Sequence, residues 1–533
     1  MVLVVRVVAL ALESSLSIDV ALEAKNKSDK TYVTTLVYTA FIAGLCSIIY
    51  ELLIATTVSY FLGDSVKYFS ITIGVYMAAM GVGSYVSKYI DERILERFVV
   101  IELWLGLLGG LSIPALYFSY AYTAAFMPVY LFFTIAIGFL IGLEIPFLTR
   151  LMETYNQLKI NIANILSFDY LGALIATLAF PFLLLPLFGV YQSSLIFGLI
   201  NMSIGFVVLH IFSNEIGDKS RRLKKITYLL TAVLVVMIVF SGAALNHWDS
   251  ALYEDRVVYS EQTRYQKIVL TKDRDDVRLF LDGNLQFSSV DEYRYHEALI
   301  HVPMSATKHP VKRVLLLGAG DGLAIRELLK YSEIEEIVLV DLDEAIIDLA
   351  SSNSYFTSLN EESMASEKVT VVVSDAFTYL RENNSPFDFI ISDLPDPNNN
   401  ALARLYSKQF YKLLNMNISH SGMFVTQATS PYFATQAYWS IVKTIQAGGF
   451  NNTYPYHASV PSFGEWGFVL ASNELLDVQS ARLDVATKFL TDSNLLTLFV
   501  FDKDIQARDV EVNMLDKPIL LSYYLKGWEY YAR

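Results

Sequence analysis

Long apolar runs fill the chain between about residues 31 and 245, and this feature limits its fold more than any other. A helix of roughly 20 apolar residues spans the hydrocarbon core of a bilayer. Such runs lie at residues 33–60, 66–88, 97–119, 122–148, 163–187, 189–212 and 226–245. We therefore predict a multi-pass α-helical membrane bundle of about seven spans, with the lipid bilayer as its partner and the cell membrane as its location.

The composition agrees with a chain that is part membrane protein and part soluble protein. With 533 residues and 54% hydrophobic content, it is too long for one ordinary domain and too apolar for a purely soluble enzyme. The net charge of −14 argues against nucleic acid as a partner, because phosphates would be repelled, and is compatible with cationic small molecules. The single cysteine, Cys46, excludes an intrachain disulfide.

After Trp248 the sequence changes to charged, alternating segments. QKIVLTKD and VRLFLDGNLQFSSV alternate apolar and polar residues around an Asp-Gly pair, which predicts antiparallel hairpins. The strand-like segments that follow are VKRVLLLG, EEIVLVD, KVTVVVSD, FDFIISD and GMFVTQA, with helical segments such as GLAIRELLKY among them. This order predicts a parallel, doubly wound α/β sheet, which binds ligands beyond the C-terminal ends of its strands.

Aspartates end or follow these strands, at Asp321, Asp341, Asp375, Asp393 and Asp396. Each one alone could be an ordinary helix N-cap or strand-end turn. On one rim of a sheet, however, the five carboxylates would repel one another unless a cation lay between them. The sequence therefore predicts a site for a cationic ligand at this rim.

The glycine loop GAGDG contains Gly318 and Gly320 and precedes a helix, as nucleotide-binding loops do. A GxGxG pattern alone is a weak signal, and Asp321 within the loop would repel a phosphate group. The same aspartate would attract an ammonium group. We therefore expect a cationic ligand without phosphates at this loop.

The next two strand ends suggest an adenosine group. Asp341 occupies the position of the carboxylate that accepts ribose hydroxyls, and Asp375 with Ala376 is placed to meet an adenine amine. S-adenosyl sulfonium compounds fit this combination. Asp321 disfavours the carboxylate of S-adenosylmethionine and favours the decarboxylated form, whose propyl chain ends in an ammonium.

A family resemblance now emerges from the motifs. LDGNLQFSSVDEYRYHEALIHVPM at 281–304, followed by LLLGAGDG, VDLD, SDAFTYL, ISDLPDP and LYSKQFYKLL, resembles spermidine synthase, one of the polyamine aminopropyltransferases. The similarity covers roughly residues 259–472, and the apolar region in front resembles the membrane-fused branch of the family. It implies aminopropyl transfer from decarboxylated S-adenosylmethionine to a polyamine such as putrescine, with release of methylthioadenosine. The donor is then a co-substrate, no cofactor or metal is implied, and a homodimer is compatible with the resemblance.

The resemblance also implies roles for individual residues. Donor binding is assigned to Gln266, Gln286, Asp321, Asp341 and Asp375. The acceptor side is assigned to Tyr295, His296, Asp393 and Asp396, with Asp393 as the catalytic base. A base is needed because an alkylammonium, with a pKa of about 10.4, has no lone pair until its proton is removed.

Three departures from the family pattern are visible. The loop contains Ala319 instead of a glycine, and Asp341 replaces the usual glutamate. Val460 occupies the place of a tyrosine that helps to hold the acceptor in soluble members, so the resemblance does not identify the acceptor amine. Glu465 could supply a carboxylate in its place, and a solvated loop acid is the alternative interpretation.

These observations predict a membrane bundle followed by an α/β part, made of a small antiparallel β-hairpin domain and a doubly wound, Rossmann-like sheet of the methyltransferase type. The expected domains are an N-terminal tail (1–30), a membrane domain (31–246), a β-hairpin domain (247–303), a catalytic domain (304–475) and a C-terminal helical extension (476–533).

Acidic residues and glycines in the apolar part raise further questions. Glu51, Glu144 and Asp169 lie in or near predicted spans, where a charge is costly and is a functional candidate by default. The alternative for Glu144 and Asp169 is that they reach the membrane interface. The glycine runs GVGSY and GLLGG are expected to be helix-packing surfaces.

The loop charges conflict with a cytosolic catalytic domain. Lysines and arginines cluster before the first span and after the second, fourth and sixth, which makes those loops cytoplasmic and leaves the C-terminal part outside after seven spans. S-adenosyl donors, however, are made in the cytosol. Either one run is re-entrant, or the tail hides a span, or the donor is delivered to the outer face.

Two other functions stay open at this point. A methyltransferase on the same sheet would turn over S-adenosylmethionine itself. A non-catalytic polyamine sensor or transporter would bind a cation without chemistry. Asp393 and Tyr295 favour an enzyme, because a binding site does not require a base beside the amine.

Overall fold

The computed structural model describes residues 27–62, 65–153, 158–217, 219–253, 255–383 and 385–529. The chain divides into two compact units, the first ending at Glu254 and the second beginning at Asp255. Most of the predicted N-terminal tail, residues 1–26, lies outside the described residues. The finer domain boundaries stay predictions.

All regular elements in the described residues of the first unit are helices. Its helices are Lys27–Leu62 (α1), Ser65–Val86 (α2), Ile94–Tyr122 (α3), Phe126–Glu153 (α4), Leu158–Ala179 (α5), Leu185–Ile211 (α6), Ser213–Ile216 (α7), Lys219–Val239 (α8) and Ser241–Leu252 (α9). A short π-helical turn at Phe180–Leu184 joins α5 to α6.

Five helical stretches in the described part of the chain are long and apolar enough to cross a membrane. They are Thr31–Leu62, Val66–Tyr89, Ile94–Tyr122, Phe126–Glu153 and Leu158–Ile211. The count is lower than the expected seven for two reasons. The fifth stretch joins two predicted runs across Gly189, whose φ of 64° breaks the helical backbone, and α8 begins with a cluster of lysines and arginines.

Glycines allow the helices of the first unit to approach closely. A Cβ at Gly83 in α2 would lie 2.1 Å from the carbonyl oxygen of Phe139 in α4, and one at Gly142 would lie 2.1 Å from that of Met80. In α3, a Cβ at Gly109 would lie 2.3 Å from the ring of Tyr50. These contacts agree with the predicted packing role of both glycine runs.

A carboxyl pair lies inside this bundle. Glu144 is buried, which contradicts the interpretation that it reaches the membrane interface, and its carboxyl interacts with that of Glu102 in α3. Glu102, which the sequence analysis missed, accepts a hydrogen bond of 2.7 Å from the amide of Asn201 in α6. Glu51 is only partly buried, and Asp169 packs against Gly44 of α1.

The second unit opens with a small antiparallel sheet. Its strands follow in sequence order as Arg256–Gln262 (β1), Lys267–Asp273 (β2), Asp276–Leu281 (β3) and Asn284–Ser288 (β4). The predicted alternation is visible in the burial of β3, whereas β2 is buried continuously from Ile268 to Thr271. Apolar side chains of both strands pack in one cluster with Leu323, Ile346 and Phe356 of the larger sheet's helices.

The larger sheet has seven strands in the order β10-β11-β9-β8-β5-β6-β7. Its strands are Arg313–Gly318 (β5), Glu336–Asp341 (β6), Val369–Val373 (β7), Phe387–Asp393 (β8), Ile418–Gln427 (β9), Asn452–Val460 (β10) and Gly464–Ser472 (β11). Strands β5 to β9 are mutually parallel, as predicted. The central residues of β5, β6, β8 and β9 are buried, as in parallel strands covered on both faces, whereas the edge strand β7 is partly exposed. The antiparallel hairpin of β10 and β11 at one edge was not predicted.

Helices cover this sheet. They are Glu292–Ala306 (α10), Leu323–Leu328 (α11), Glu344–Ser352 (α12), Ser354–Leu359 (α13), Ala376–Glu382 (α14), Asn400–Ala403 (α15), Lys408–Asn417 (α16), Thr435–Ala447 (α17), Asp492–Leu495 (α18) and Ile519–Glu529 (α19). The strand order reverses at β5, which lies between β6 and β8. In sheets of this kind the ligand crevice opens at that reversal, beyond the strands' C-terminal ends.

Two neighbouring glycines of α2 provide a test of the packing in the first unit. Gly83 faces α4, whereas a Cβ at Gly81 would have nothing within 4 Å. We expect Gly83→Leu to lower the free energy of unfolding by about 1–3 kcal/mol or more, the cost of overpacking. Gly81→Leu should be nearly neutral. Thermal unfolding of the detergent-solubilised chain measures both, and equal effects of the two substitutions would contradict the packing.

Candidate active site

The loop between β5 and α11 brings two strand ends together. In the parallel pair of β5 and β8, Gly318 lies opposite Asp393. A Cβ at residue 318 would lie 2.2 Å from the Asp393 carbonyl oxygen, and Gly318 has a φ of 79°, so glycine is required there. The predicted glycine loop therefore lies directly beside the predicted base.

The same loop approaches the end of β6. A Cβ at Gly320 would lie 2.7 Å from Oδ2 of Asp341, so glycine leaves room for that carboxylate. Burial raises the pKa of Asp341 to about 6, although backbone N–H groups donate to it. Burial also raises the pKa of Asp321, while its Oδ1 accepts a hydrogen bond of 2.9 Å from the Leu323 N–H at the start of α11. Asp321 thus binds the N–H of the first residue of α11 and is at the same time a partly buried acid of the rim.

Asp393 is held by Tyr295 of α10. The Tyr295 hydroxyl donates a hydrogen bond to Oδ1 of Asp393. Burial raises the pKa of Asp393 to about 6; the nearby charge of Asp321 adds to this, and His296 and Tyr295 oppose it. Tyr295 itself is buried, and burial together with Asp393 raises its pKa well above the ordinary value. The predicted base and its predicted tyrosine are therefore in contact.

His296 has a partner that the sequence analysis missed. Its Nδ1 lies 2.8 Å from Oε2 of Glu292, one turn earlier in α10. Burial alone would lower the pKa of His296, but the hydrogen bond and charge of Glu292 raise it to about 9. Glu292 in turn receives two hydrogen bonds of 3.0 Å from Arg326. His296 is therefore a buried cation at neutral pH, and its charge acts on both Asp321 and Asp393.

Asp396 lies in the loop after β8, among donors from β9 and beyond. Oδ1 accepts a hydrogen bond of 3.1 Å from Gln427, and Oδ2 accepts one of 3.0 Å from the hydroxyl of Thr429. Burial raises its pKa to about 6, and these donors and the hydroxyl of Tyr524 act against the rise. Gln427, Thr429 and Tyr524 were not predicted, because nothing in their local sequence marks them.

Gln266 reaches the site through an intermediate residue. Its amide donates a hydrogen bond of 3.1 Å to Oδ2 of Asp343, which also accepts one of 2.7 Å from Thr263. The backbone N–H of Asp343 donates to Oδ1 of Asp341 at 3.0 Å. The second aspartate of the VDLD motif therefore joins the loop before β2 to the end of β6.

Three predicted donor-side residues are placed differently. Asp375 lies two residues beyond β7, caps α14 through the Thr378 N–H at 3.1 Å, and forms an ion pair with Arg404. Ala376 is the first residue of α14 and is buried. The Gln286 amide donates to the carbonyl of Asn284 at 3.0 Å within β4, and no described polar contact joins it to the rim.

The segment that departs from the family pattern forms the edge hairpin. Val460 is fully buried in the core at the end of β10. Oε1 of Glu465 lies 2.5 Å from Nδ1 of His457 on the neighbouring strand, so this acid is neither a freely solvated loop residue nor an open carboxylate.

The rim as a whole combines partly buried acids with few cations. Asp341, Asp393 and Asp396 each have a pKa of about 6, because burial penalises their charged forms. A cationic ligand would restore the stability of the ionised forms. A carboxylate of this kind is also matched to accept a proton near neutral pH. The arrangement therefore suits the binding and deprotonation of an amine.

Comparisons with known proteins identify relatives of this chain. Residues 292–480 match a family model described as a spermine/spermidine synthase domain. A polyamine aminopropyltransferase of Leptospira interrogans is 40% identical over 498 residues, which cover 93% of this chain and 99% of that protein. Another, of Oceanobacillus iheyensis, is 39% identical over 92% of this chain and 96% of its own length. The spermidine synthase structure from Thermotoga maritima aligns with 47% of this chain and 86% of its own, at 25% identity and a TM-score of 0.43.

The raised pKa of Asp393 predicts that replacing its carboxyl group will change the stability of the fold. Because the pKa is 3.8 in an ordinary environment and about 6 in the fold, the stability that this group contributes is present below pH 3.8 and is lost as the pH rises through 6. Asp393→Asn keeps an oxygen for Tyr295 but cannot ionise. We expect the free energy of unfolding of Asp393→Asn to be about 2–3 kcal/mol higher than that of wild type at pH 7 in the absence of ligand. This difference should disappear below about pH 4.

Urea unfolding of the second unit at several pH values, followed by near-UV circular dichroism, measures this difference. Asp375→Asn is the matched control. The Asp375 carboxylate forms an ion pair with Arg404, so replacing it should not raise the free energy of unfolding. A difference that did not change with pH would contradict the prediction.

Proposed function

This chain belongs to the polyamine aminopropyltransferases, and we propose that its second unit transfers the aminopropyl group of decarboxylated S-adenosylmethionine to a polyamine such as putrescine, releasing methylthioadenosine. The observation that carries the proposal is the position of Asp393. It lies opposite Gly318 of the glycine loop, receives a hydrogen bond from Tyr295, and has a pKa of about 6. A base is thus available beside the loop that would hold the donor.

The adenosine part of the donor is assigned to the ends of β6 and β7. Asp341 would accept the ribose hydroxyls, with Gln266 acting through Asp343 to fix its position. Asp375 and Ala376, at the start of α14, would meet the adenine amine. Gln286 is also proposed for the donor side, from the small sheet that packs on α12 and α13.

The aminopropyl part is assigned to the glycine loop. Gly318 and Gly320 leave space close to the backbone, and Asp321 would pair with the terminal ammonium of the donor. This pairing supports the decarboxylated donor over S-adenosylmethionine, whose additional carboxylate would meet the buried Asp321. The methyltransferase alternative, which requires S-adenosylmethionine, is disfavoured for the same reason.

The acceptor amine is assigned to the space between α10 and the loop after β8. Asp393 would take the proton of the attacking nitrogen, and Tyr295 would orient Asp393. Asp396 would bind an ammonium of the acceptor. His296 belongs to the same end. Because Glu292 lies on its Nδ1, it acts through its charge, which opposes the rise in the pKa values of Asp393 and Asp321.

The reaction is one substitution at carbon. The nitrogen lone pair forms a bond to the methylene carbon beside the sulfonium, the carbon–sulfur bond breaks, and its electron pair returns to sulfur. The positive sulfonium becomes a neutral thioether, while the nitrogen loses a proton to Asp393. Because the sulfonium is already an activated leaving group, the protein contributes mainly orientation and proton removal.

For the first unit we propose seven membrane passes. The apolar stretch Leu158–Ile211 has 54 residues, and a straight helix of that length would extend about 80 Å, far beyond a bilayer core of about 30 Å. The break at Gly189 supports two passes there. The apolar second half of α8 supports one more after its basic first turns.

We expect Asp393→Asn to keep donor binding and to lower kcat by about a hundredfold or more, the scale for loss of a general base. In wild type, kcat/KM for putrescine should fall as the pH drops below about 6, because protonated Asp393 cannot accept a proton. Steady-state assays and donor calorimetry measure these effects. The control is Asp516→Asn, which lies at an exposed loop position and should turn over like wild type. If Asp393→Asn also turned over at the wild-type rate, Asp393 would not be the base.

A second prediction concerns donor selectivity. Asp321→Asn retains an oxygen to cap the Leu323 N–H but loses the charge. We expect weaker binding of decarboxylated S-adenosylmethionine. The ratio of the Kd of S-adenosylmethionine to that of the decarboxylated form should fall about tenfold or more, which corresponds to about 1.4 kcal/mol of binding free energy. Calorimetry with both ligands measures the ratio, and an unchanged ratio would refute the assigned role of Asp321.

A further inference from the structure

The turn that follows β9 has an unusual backbone conformation at Thr429. Its φ is 55°, in the left-handed region that glycine adopts easily and that β-branched residues avoid for steric reasons. Of the non-glycine residues with positive φ in the described part of the chain, Thr429 is the only β-branched one. It is also fully buried. Such a conformation costs free energy, so the surrounding structure must maintain it.

Contacts with β11 maintain this backbone. The Gly467 N–H donates to the Thr429 carbonyl at 2.8 Å, and the Ala428 N–H donates to the Gly467 carbonyl at 2.8 Å, so the pairing of β11 continues beyond the end of β9. A Cβ at Gly467 would lie 2.4 Å from the ring of Tyr438 and 2.7 Å from the Thr429 carbonyl oxygen. This close approach requires glycine at residue 467 and fixes Thr429 from the side of β11.

The side chain of Thr429 contacts the acidic loop, which is the segment 394–399 between β8 and α15. Its hydroxyl donates a hydrogen bond of 3.0 Å to Oδ2 of Asp396. Oδ1 of the same carboxylate accepts one of 3.1 Å from the Gln427 amide, and Oε1 of Gln427 accepts one of 2.9 Å from the Thr429 N–H. The turn therefore holds both oxygens of Asp396 with two donor residues that are also bonded to each other.

The fold alone gives no reason for a hydroxyl at residue 429. Glycine would adopt the same φ without strain, and the hydrogen bonds with Gln427 Oε1 and Gly467 use only the backbone of Thr429. The hydrogen bond that the hydroxyl donates goes to Asp396, which is partly exposed and so accessible to a ligand. A strained residue whose side chain contacts an accessible acid of the cleft is a candidate for a functional role.

From these contacts we propose that Thr429 is a positioning residue of the acceptor end of the cleft, whose strained turn places its hydroxyl on Asp396 and orients that carboxylate toward an ammonium group of the acceptor amine. The inference rests on the proposed function. Because each oxygen of Asp396 has a donor, the carboxylate cannot rotate without losing both hydrogen bonds. An ammonium group then meets a carboxylate that is already oriented, which lowers the entropic cost of binding.

The hydroxyl also acts on the charge of Asp396. Desolvation raises the pKa of this carboxyl to about 6, and the hydrogen bonds from Thr429 and Gln427 oppose the rise. Without the hydroxyl, the carboxyl would keep its proton at a higher pH, and a neutral carboxyl attracts an ammonium less. Asp321 follows β5 and Asp341 ends β6, so the proposed donor end should be unaffected.

The test compares Thr429→Val with Thr426→Val in the full-length protein. Valine keeps the β-branched shape and removes the hydroxyl. Thr426 is also fully buried, but its hydroxyl donates to the Gln427 carbonyl at 2.8 Å, so the control removes a hydroxyl that does not touch Asp396. We expect Thr429→Val to raise KM for putrescine about tenfold or more, the scale for losing a hydrogen bond to a charged group. Its kcat and its Kd for decarboxylated S-adenosylmethionine should stay near the wild-type values, and Thr426→Val should match wild type in all three measurements.

Thr429→Ser provides a rescue, because serine restores the hydroxyl without the methyl group. We expect its KM for putrescine to stay near the wild-type value. The acid limb of kcat/KM for putrescine should lie at higher pH in Thr429→Val than in Thr429→Ser, because Asp396 keeps its proton to a higher pH without the hydroxyl.

Three results would overturn the inference. They are an unchanged KM for putrescine in Thr429→Val, an equal loss of donor affinity in that variant, and a Thr429→Ser variant as impaired as Thr429→Val. If Thr429→Val binds no donor, Thr429→Ala, which adds no methyl group beside the carboxylate, is judged by the same measurements. Failure of both variants to bind the donor would assign the hydroxyl to the fold in general and would also overturn the inference.

The proposed function is tested first and separately, with wild type. If wild type does not form methylthioadenosine from the donor with putrescine or longer polyamines, the proposed function itself fails, and the inference fails with it. If wild type does form methylthioadenosine, the variants at residue 429 decide the inference alone.

Discussion

The parallel pairing of β5 with β8 is the constraint on which the rest of the site depends. It fixes Gly318 opposite Asp393, and the backbone at Gly318 approaches so closely that no side chain fits. From this pair the glycine loop extends one way to Asp321 and Asp341, and the acidic loop extends the other way to Asp396. A shift of register by one residue would separate the loop from Asp393 and would turn the side chains of β8 to the opposite faces of the sheet.

The second general feature is an imbalance of charge. Three aspartates in the cleft have pKa values of about 6 because of burial, and the cations nearby are themselves occupied. Arg326 binds Glu292, and His296 shares that glutamate. In the absence of ligand, the desolvation of these carboxylates therefore lowers the stability of the folded protein. Two cationic substrates would relieve that cost on binding, which links affinity to the ionisation of the cleft.

Sequence patterns predicted the parallel strands, their order along the chain and the rim aspartates, because short apolar runs ending in Asp are local signals. They did not predict the partners of those aspartates. Gln427 and Tyr524 look like ordinary strand and helix residues, and each acts on Asp396 from a position distant in sequence. Glu292 acts on the aspartates through His296, one turn along the same helix. The hairpin of β10 and β11 was missed because the proline and glycine of ASVPSFGEWGF suggest a loop. In the first unit, two predicted spans form one long apolar stretch, whose helical backbone is broken only at the single residue Gly189.

The late position of α19 in the chain has a consequence for how the protein is made. Ribosomes release the chain from the N-terminus, and domains generally fold in that order. The strand ends that we assign to the donor lie between residues 318 and 376, whereas Tyr524 lies in the last helix described in the chain. The residues proposed for the donor are therefore synthesised well before the last helix that packs onto the acceptor side.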